Sequence, residues 1–441
     1  MSDVRHDYAR QVELERLLNA DECDGMPLGE LLVDEIREAL GGTSTFTVRP
    51  YLVSFASLVV KAIRKPVDIP DLKATVIYFR SGNLTHHQAI ERSVKSGLKG
   101  PESMTVLRSG GAGDFHVRDA LQCLRPRDVV VAVKQVTRSR RHIRACVARA
   151  GESKSVANRF SAALFIQFLR ARGMESFLRT QSETRFLSAD FDRGALTAPL
   201  FLAARRMNLP SGSIQHGALL PAETLSGFTP LIADTIGVWG TAVRDQLIKE
   251  GEPPESVVVV GCPTLRGGQP KESGSTPATH REVYLALSEP DIFKERQVVS
   301  FFLKIAEGGA SRYGFKVKLH PGRDRSAYQW ISDDFGIDLV PEGVPIEQFA
   351  ASAAAVLITG SSLGLSMLSS GVRVGVVDIP EAASKMSRDY VNYLKVPAVR
   401  SVEDFDHLMS NAELCDGTAL NAVMDNPNQA AFRTFLGLDA G

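Results

Sequence analysis

Nine histidines occur in 441 residues, and two of them close apolar runs in the same manner. "SIQHGALLP" (213–221) sets His216-Gly217 after a short apolar run, and "FKVKLHPGRD" (315–324) sets His320-Pro321-Gly322 after another. Proline stops a strand and glycine permits a tight turn, so each imidazole is expected at a strand's carboxyl end. Histidine is the side chain whose unperturbed pKa lies nearest neutrality, which suits it to move a proton or to hold a phosphate. With Lys318, Arg323 and Arg325 close in sequence, His320 suits a departing phosphate; a histidine that merely caps a sheet edge is the commoner alternative. His216 suits deprotonation of an acceptor hydroxyl, with Gln215 and Gly217 on the acceptor side, Gly217 letting the backbone run close to substrate. A carboxylate is the alternative base: "LSADFDRG" (187–194) carries Asp190 and Asp192, although Asp192 also suits a helix N-cap.

Three further turns suit a donor nucleotide. In "AAVLITGSSLGLSMLSSG" (354–371) an apolar strand runs into Thr359-Gly360-Ser361-Ser362 and then a helical pattern. Unpaired amides at a helix start, with serine hydroxyls beside them, bind phosphate, though simple capping by either serine reads the same way. "EVYLALSEPD" (282–291) ends a strand at Ser288, and "LVPEGVPIEQFA" (339–350) offers Glu342-Gly343 as a loop able to read a base edge, or simply a solvent loop. No GxGxxG accompanies these turns, which argues against a dinucleotide dehydrogenase. Cationic side chains and helix amides can receive the phosphate, so no metal and no cofactor are expected, the donor itself being substrate.

The elements that must position these residues follow an alternating pattern. Apolar β-rich runs at 74–79, 104–109, 128–133, 184–189, 211–216 and 235–240 alternate with helix-length stretches, and a second series follows at 257–261, 282–288, 315–320, 337–341, 354–360 and 372–378. This is an α/β fold of two Rossmann-like domains with parallel sheets, whose ligands bind beyond the carboxyl ends of the strands. The Gly-, Pro- and Ser-rich "RGGQPKESGSTPATHRE" (266–282) reads as a surface loop or linker near the junction. We therefore place an N-terminal acceptor-side domain at 1–250, with an irregular extension over its first 70 residues, and a donor-binding domain at 251–441, whose last helix can cross back. A helix is expected over "GELLVDEIREAL" (29–40), and a second apolar segment over 51–62.

Composition narrows the setting. Fifty-one basic and 51 acidic residues balance, so no global field points to nucleic acid. Five cysteines are scattered without a CxxC, which supports neither a disulfide framework nor a zinc cluster and suits a reducing, cytoplasmic setting. The N-terminus is charged from its third residue, unlike a signal peptide, and no apolar run approaches the length of a membrane span. "RSRRHIRACVAR" (138–149) puts Arg138, Arg140, Arg141 and Arg144 on an expected helix. Such a run suits an anionic glycan, a lipid phosphate or peripheral contact at the inner membrane face; a solvated helix face is the commoner role.

Taken in order, "QHG", "VWG", "GCP", "KLHPG" and "TGSSLG" resemble the GT-B glycosyltransferase group, and within it bacterial enzymes with cytidine-nucleotide donors. CDP-glycerol polymerases of the teichoic-acid type are similar in an HG histidine as base, and in an HP region and Ser-Ser turn that hold donor phosphates. Bacterial sialyltransferases share the HP and Ser-Ser/Thr motifs that bind CMP. Non-hydrolysing UDP-N-acetylglucosamine 2-epimerases are similar as well, but their later turn carries a glutamate for the ribose, where this chain has Leu365-Ser366-Met367-Leu368. The resemblance implies an inverting, metal-independent transfer of a sialic-acid-like or Kdo-like sugar from a CMP donor to a glycan, lipid-linked or protein acceptor. It implies His216 or Asp190 as base and His320, Ser361 and Ser362 at the departing phosphate. A CDP-polyol phosphotransferase, a UDP-sugar 2-epimerase-like enzyme and a non-catalytic glycan-assembly protein are the competing expectations.

Overall fold

The computed structural model describes residues 2–40, 71–80, 85–108, 115–116, 123–220, 228–265, 282–287, 292–309, 313–320, 323–341, 343–344, 346–380, 385–410 and 415–438. The apolar segment at 51–62 and most of the linker at 266–282 lie outside them. A two-stranded antiparallel hairpin, β1 (Glu22–Cys23) and β2 (Met26–Pro27), precedes two parallel sheets. The first has the order β5-β4-β3-β6-β7-β8-β9, from β3 (Val76–Arg80), β4 (Met104–Arg108), β5 (Phe115–His116), β6 (Phe186–Ala189), β7 (Ser211–Ile214), β8 (Thr235–Val238) and β9 (Val257–Val259). The second has the order β12-β11-β10-β13-β14-β15, from β10 (Glu282–Ala286), β11 (Gly314–Lys318), β12 (Asp338–Leu339), β13 (Ala353–Ile358), β14 (Arg373–Val377) and β15 (Ala398–Val399).

This topology determines where a ligand belongs. In each sheet the strand order reverses beside the first strand, between β3 and β6 and between β10 and β13. Loops leaving adjacent strands in opposite directions open a crevice at their carboxyl ends, where open parallel sheets bind ligands. Both faces of each sheet are covered, as parallel sheets require. The helix Lys154–Leu178 buries sixteen of its residues, Phe160, Leu164, Phe168 and Met174 among them. Val283, Leu285, Val317 and Leu357 pack beneath Phe302 and Phe405 in the second domain.

One expected strand is a helix. The run 128–133 lies inside the helix Pro126–Arg149. Pro126 sits in the first turn, where its fixed φ and missing N–H do no harm, and the Asp128 carboxylate accepts from Arg125 N–H at 2.8 Å. The expected helix over 29–40 appears as two pieces, Leu28–Leu31 and Val33–Leu40.

The chain end returns to the first sheet. Phe432 and Phe435 of the helix Gln429–Phe435 share a core with Val76, Tyr78, Phe186, Ile214 and Val260. The return segment hydrogen-bonds along the crossover: Cys262 N–H donates to Asp425 O at 2.8 Å, and Asp425 N–H to Trp239 O at 2.9 Å. Gly261 of the GCP motif has φ +80°, and a Cβ there would lie 2.0 Å from Asn426 O, so the close backbone passage explains that glycine.

Candidate functional site

Three side chains meet at the switch point of the first sheet. Asp190 follows β6, His216 follows the neighbouring β7, and His87 stands in the helix Thr85–Ser96 that leaves β3. Asp190 is wholly buried (0% exposed), and its Oδ2 lies in direct polar contact with His87 Nδ1. The His87 and His216 rings lie nearly parallel, 13° apart in plane, with centroids 6.0 Å apart. The sequence singled out His216 and Asp190, and the fold brings them together; His87 it did not indicate.

The surroundings set the protonation of His216. Burial holds its imidazole below the ordinary histidine range; the Asp190 carboxylate and a hydrogen bond to the Asp190 main chain pull upward, and the His87 charge adds to the lowering. The neutral form therefore prevails near pH 7, as a proton acceptor requires. The ring keeps partial exposure, and the space above neighbouring Gly217 is open, with no atom within 4 Å of where a Cβ would stand. Phe191 and Phe228, half-buried, flank the imidazole at centroid distances of 5.6 and 6.0 Å.

Neighbouring groups hold this arrangement. Gln215, expected on the acceptor side, is fully buried and uses its amide internally. Its Oε1 accepts from Trp239 N–H at 2.8 Å and its Nε2 donates to Gly217 O at 2.9 Å, while Trp239 Nε1 donates to Gln215 O at 2.8 Å. It is a latch between the QHG and VWG turns. Asp192 caps no helix: its Oδ2 accepts from the amides of Ile232 (2.8 Å) and Ala233 (3.2 Å), and the following helix, Thr197–Arg206, is preceded by Leu196. Arg193 pairs with buried Glu15 of the N-terminal helix. The segment carrying Asp190 is thereby tied on both sides. Arg80, at the end of β3, donates to Glu91 at 2.6 Å.

In the second domain Lys318 ends β11, with His320 exposed two residues on. Burial lowers the Lys318 pKa; burial, then the charges of Lys318 and Arg323, lower that of His320. Arg323 stays beside His320, its N–H donating to His320 O at 2.9 Å, but the expectation that Arg325 joins them needs correction. Arg325 donates to the carbonyls of Val340 (2.8 Å) and Leu339 (3.0 Å) at the end of β12, and Arg323 lies 3.7 Å from buried Glu295. Pro321 and Gly322 lie outside the described residues, as do Ser288 and Glu342; Gly343 is exposed with φ +76°.

The TGSS turn leaves β13 as expected, with Thr359 buried and Gly360 at φ +118°, a value only glycine adopts freely. The three amides that follow it are already engaged. Leu363 N–H donates to Ser361 Oγ at 3.2 Å, Gly364 N–H to Ser361 O at 3.0 Å, and Leu365 N–H to the buried Tyr390 hydroxyl at 3.0 Å. That hydroxyl in turn donates to Ser361 O at 2.8 Å. The Ser362 side chain makes no capping bond, which leaves its hydroxyl, with Lys318 and His320, as the polar groups suited to a phosphate. Ala218 and Leu220, just beyond His216-Gly217, belong to one buried cluster with Ala286, Ile358 and Leu365 of the second domain. The turn bearing His216 therefore leads directly into the packing between domains.

A cavity of 580 Å³ lies elsewhere, lined by Thr241, Arg244, Gly261, Asn426 and Asn428 where the chain end returns. Among the described residues no group of three or more His, Cys, Asp or Glu side chains is placed to hold a metal ion. No helix among them is long and apolar enough to cross a membrane.

No family model matches the chain, and no curated protein matches its sequence. Solved structures do resemble it. The UDP-GlcNAc 2-epimerase of Methanocaldococcus jannaschii, in complex with UDP-GlcNAc and UDP, aligns over 83% of this chain and 100% of its own, with TM-score 0.51 and 10% identity. The UDP-GlcNAc 2-epimerase of Neisseria meningitidis aligns over 82% and 98%, with TM-score 0.47 and 12% identity. A glycotransferase of kitacinnamycin aligns over 83% and 96%, with TM-score 0.43 and 15% identity. At 10% identity the likeness to the Methanocaldococcus enzyme is one of fold, and the fold is the two-domain GT-B architecture.

Proposed function

We propose that the chain is a nucleotide-sugar-dependent glycosyltransferase in which His216 is the general base. The observation that carries this reading is the cluster of His87, Asp190 and His216 at the switch point of the first sheet. An acceptor hydroxyl entering over Gly217 meets a neutral imidazole. As the oxygen attacks the anomeric carbon of the donor and the bond to the phosphate breaks, the hydroxyl proton passes to His216. Asp190, buried beside it, offsets the imidazolium charge that develops, and His87 holds that carboxylate in place. Such help matters most in a site from which water is excluded. The departing phosphate is received by His320, Lys318 and Ser362, whose hydrogen bonds strengthen as its charge grows.

The finer reading is a CMP-linked acidic sugar as donor, supported by the helix Leu363–Ser369, which offers no carboxylate to a ribose. Acceptors of that chemistry are cell-envelope glycans. A second reading, a UDP-sugar 2-epimerase-like enzyme, is favoured by two imidazoles flanking one carboxylate, since such a pair can remove and return a proton.

A thermal-shift series with CMP, CDP, UDP and GDP, followed by turnover of the matching nucleotide sugars, tests these readings. Transfer predicts nucleotide release that depends on acceptor, and a His216→Ala variant that still binds nucleotide but has lost turnover. Conversion of a UDP-sugar without acceptor, with solvent deuterium entering the sugar, would establish the epimerase instead. Stabilisation by UDP but by no cytidine nucleotide would overturn the CMP assignment alone. Full turnover in His216→Ala would overturn the site.

A further inference from the structure

The helix Pro126–Arg149 carries a face that no contact among the described residues explains. At 1.5 Å per residue its 24 residues extend about 36 Å. One side, with Ala132, Ser139, Ile143, Cys146 and Val147, is buried, largely against the helix Lys154–Leu178. The opposite side exposes Arg127, Lys134, Arg138, Arg140, Arg141, Arg144 and Arg149, and no acidic residue of the helix shares it, because its one carboxylate, Asp128, is buried in the capping interaction; Arg149, at the helix end, feels the charge of Glu13 from the N-terminal helix. None of these seven cations makes an ion pair among the described residues, whereas most other arginines of the first domain do. Val130 (55% exposed) and Val133 (52%) stand on the same face, and they are two of three large apolar side chains that the described residues leave exposed.

We infer that this face docks the protein on an anionic lipid surface. Helical periodicity of 3.6 residues places Val130, Lys134, Thr137, Arg141 and Arg144 in one row, with Val133 and Arg140 beside it, so the valines stand among the cations. A polyanion such as RNA would use the guanidiniums but has no use for two exposed valines, and the row offers no aromatic side chain on which a base could stack. A bilayer uses both: lipid phosphates pair with the cations while the valine methyls enter the headgroup boundary. Because the helix's main apolar side is already packed against the protein, attachment is chiefly electrostatic and therefore reversible by salt. This surface is independent of the His216 site, so its failure would leave the proposed reaction untouched.

The test is sedimentation of the full chain with vesicles of phosphatidylcholine alone and of phosphatidylcholine mixed with phosphatidylglycerol, across a salt series. Binding is expected only to the anionic vesicles and is expected to fade with salt. Each cation near such a surface contributes about fivefold to partitioning, so R140Q/R141Q/R144Q together should weaken it about a hundredfold at low ionic strength. V130S/V133S, a change of two exposed side chains that leaves the fold intact by circular dichroism, should weaken it several-fold while retaining the salt dependence. Absence of binding to anionic vesicles would overturn the inference. So would unchanged partitioning of the triple variant, or tighter binding to RNA or heparin with no effect of V130S/V133S.

Discussion

Replacing Asp190 by Asn tests the charge arrangement around His216 most directly. Asn is nearly isosteric, so the change removes charge from a wholly buried position while occupying the same space. In the native cluster one carboxylate faces two imidazoles, and the His87–Asp190 pair is neutral when His87 carries the proton. A second proton on His216 would then be balanced only in part. Without the carboxylate, a proton on His216 loses the opposite charge that favours it. The variant therefore resists protonating His216, whose pKa is already lowered by burial and loses the upward pull of Asp190. The sign follows: the acid limb of kcat moves to lower pH, never higher. The plateau falls, because the imidazolium that forms in the transition state has lost its counter-charge; an opposite charge about 6 Å away is worth about 3 kcal/mol at an effective dielectric constant near 20, which sets a ceiling of about a hundredfold on that fall. Nucleotide affinity should stay within about threefold, since the donor groups belong to the second sheet. The assay is nucleotide release from the nucleotide sugar that stabilises the protein, measured across pH, with a histidine NMR titration of the same variant as a readout independent of turnover. A His216 midpoint that moves upward in Asp190→Asn, or a plateau equal to the native one, would refute the reasoning.

Two further expectations concern stability. Tyr390→Phe removes a buried hydroxyl that donates to Ser361 O (2.8 Å) and accepts from Leu365 N–H (3.0 Å), so it should cost about 1–3 kcal/mol, seen as a lower urea midpoint at unchanged slope; an unchanged midpoint would show that the TGSS turn does not depend on this bridge. Glu35, buried and hydrogen-bonded by Gln167 at 3.2 Å, has its pKa pushed up to about 7 by burial and then by Asp34. Its folded pKa is raised above the unfolded value of 4.5, so its contribution is full below that value and is lost as pH rises through 7. Glu35→Gln should therefore raise the melting temperature most on the alkaline side; a gain confined to acid pH would contradict the assignment.

Much of the architecture was legible because parallel strands buried on both faces are short apolar runs, and twelve such runs could be counted before any coordinates. The run 128–133 misled for a physical reason. Three consecutive valines favour a strand locally, but Pro126 and Asp128 start a helix that continues to Arg149, and the positions that looked like core include Val130 and Val133, which are exposed. The short edge strands β5 and β15 hold two residues each, too few to show a period, whereas β12, equally short, lies inside the expected run 337–341.

The site was legible only where chemistry coincides with a strand end. His216 and Asp190 follow β7 and β6, so a reading of strand termini finds both. His87 escapes it because its role arises from pairing between β3 and β6, a contact that local sequence does not encode. A usable signal was present: "THHQ" stands just after the strand that begins the first sheet, at the same topological place as the TGSS turn's partner loop after β10 in the second. The donor side shows the converse. Arg325 and Gln215 have the residue types of ligand contacts, yet each has donors already paired to backbone carbonyls, which composition and spacing cannot reveal. The same pairing accounts for the TGSS turn. With the Leu363, Gly364 and Leu365 amides already bonded to Ser361 and Tyr390, the proposed phosphate site is expected to draw on the side chains of Lys318, His320 and Ser362 more than on those three amides. Neutralising Lys318 should then weaken nucleotide binding by more than Ser361→Ala does, and the reverse order would return the phosphate to the helix amides.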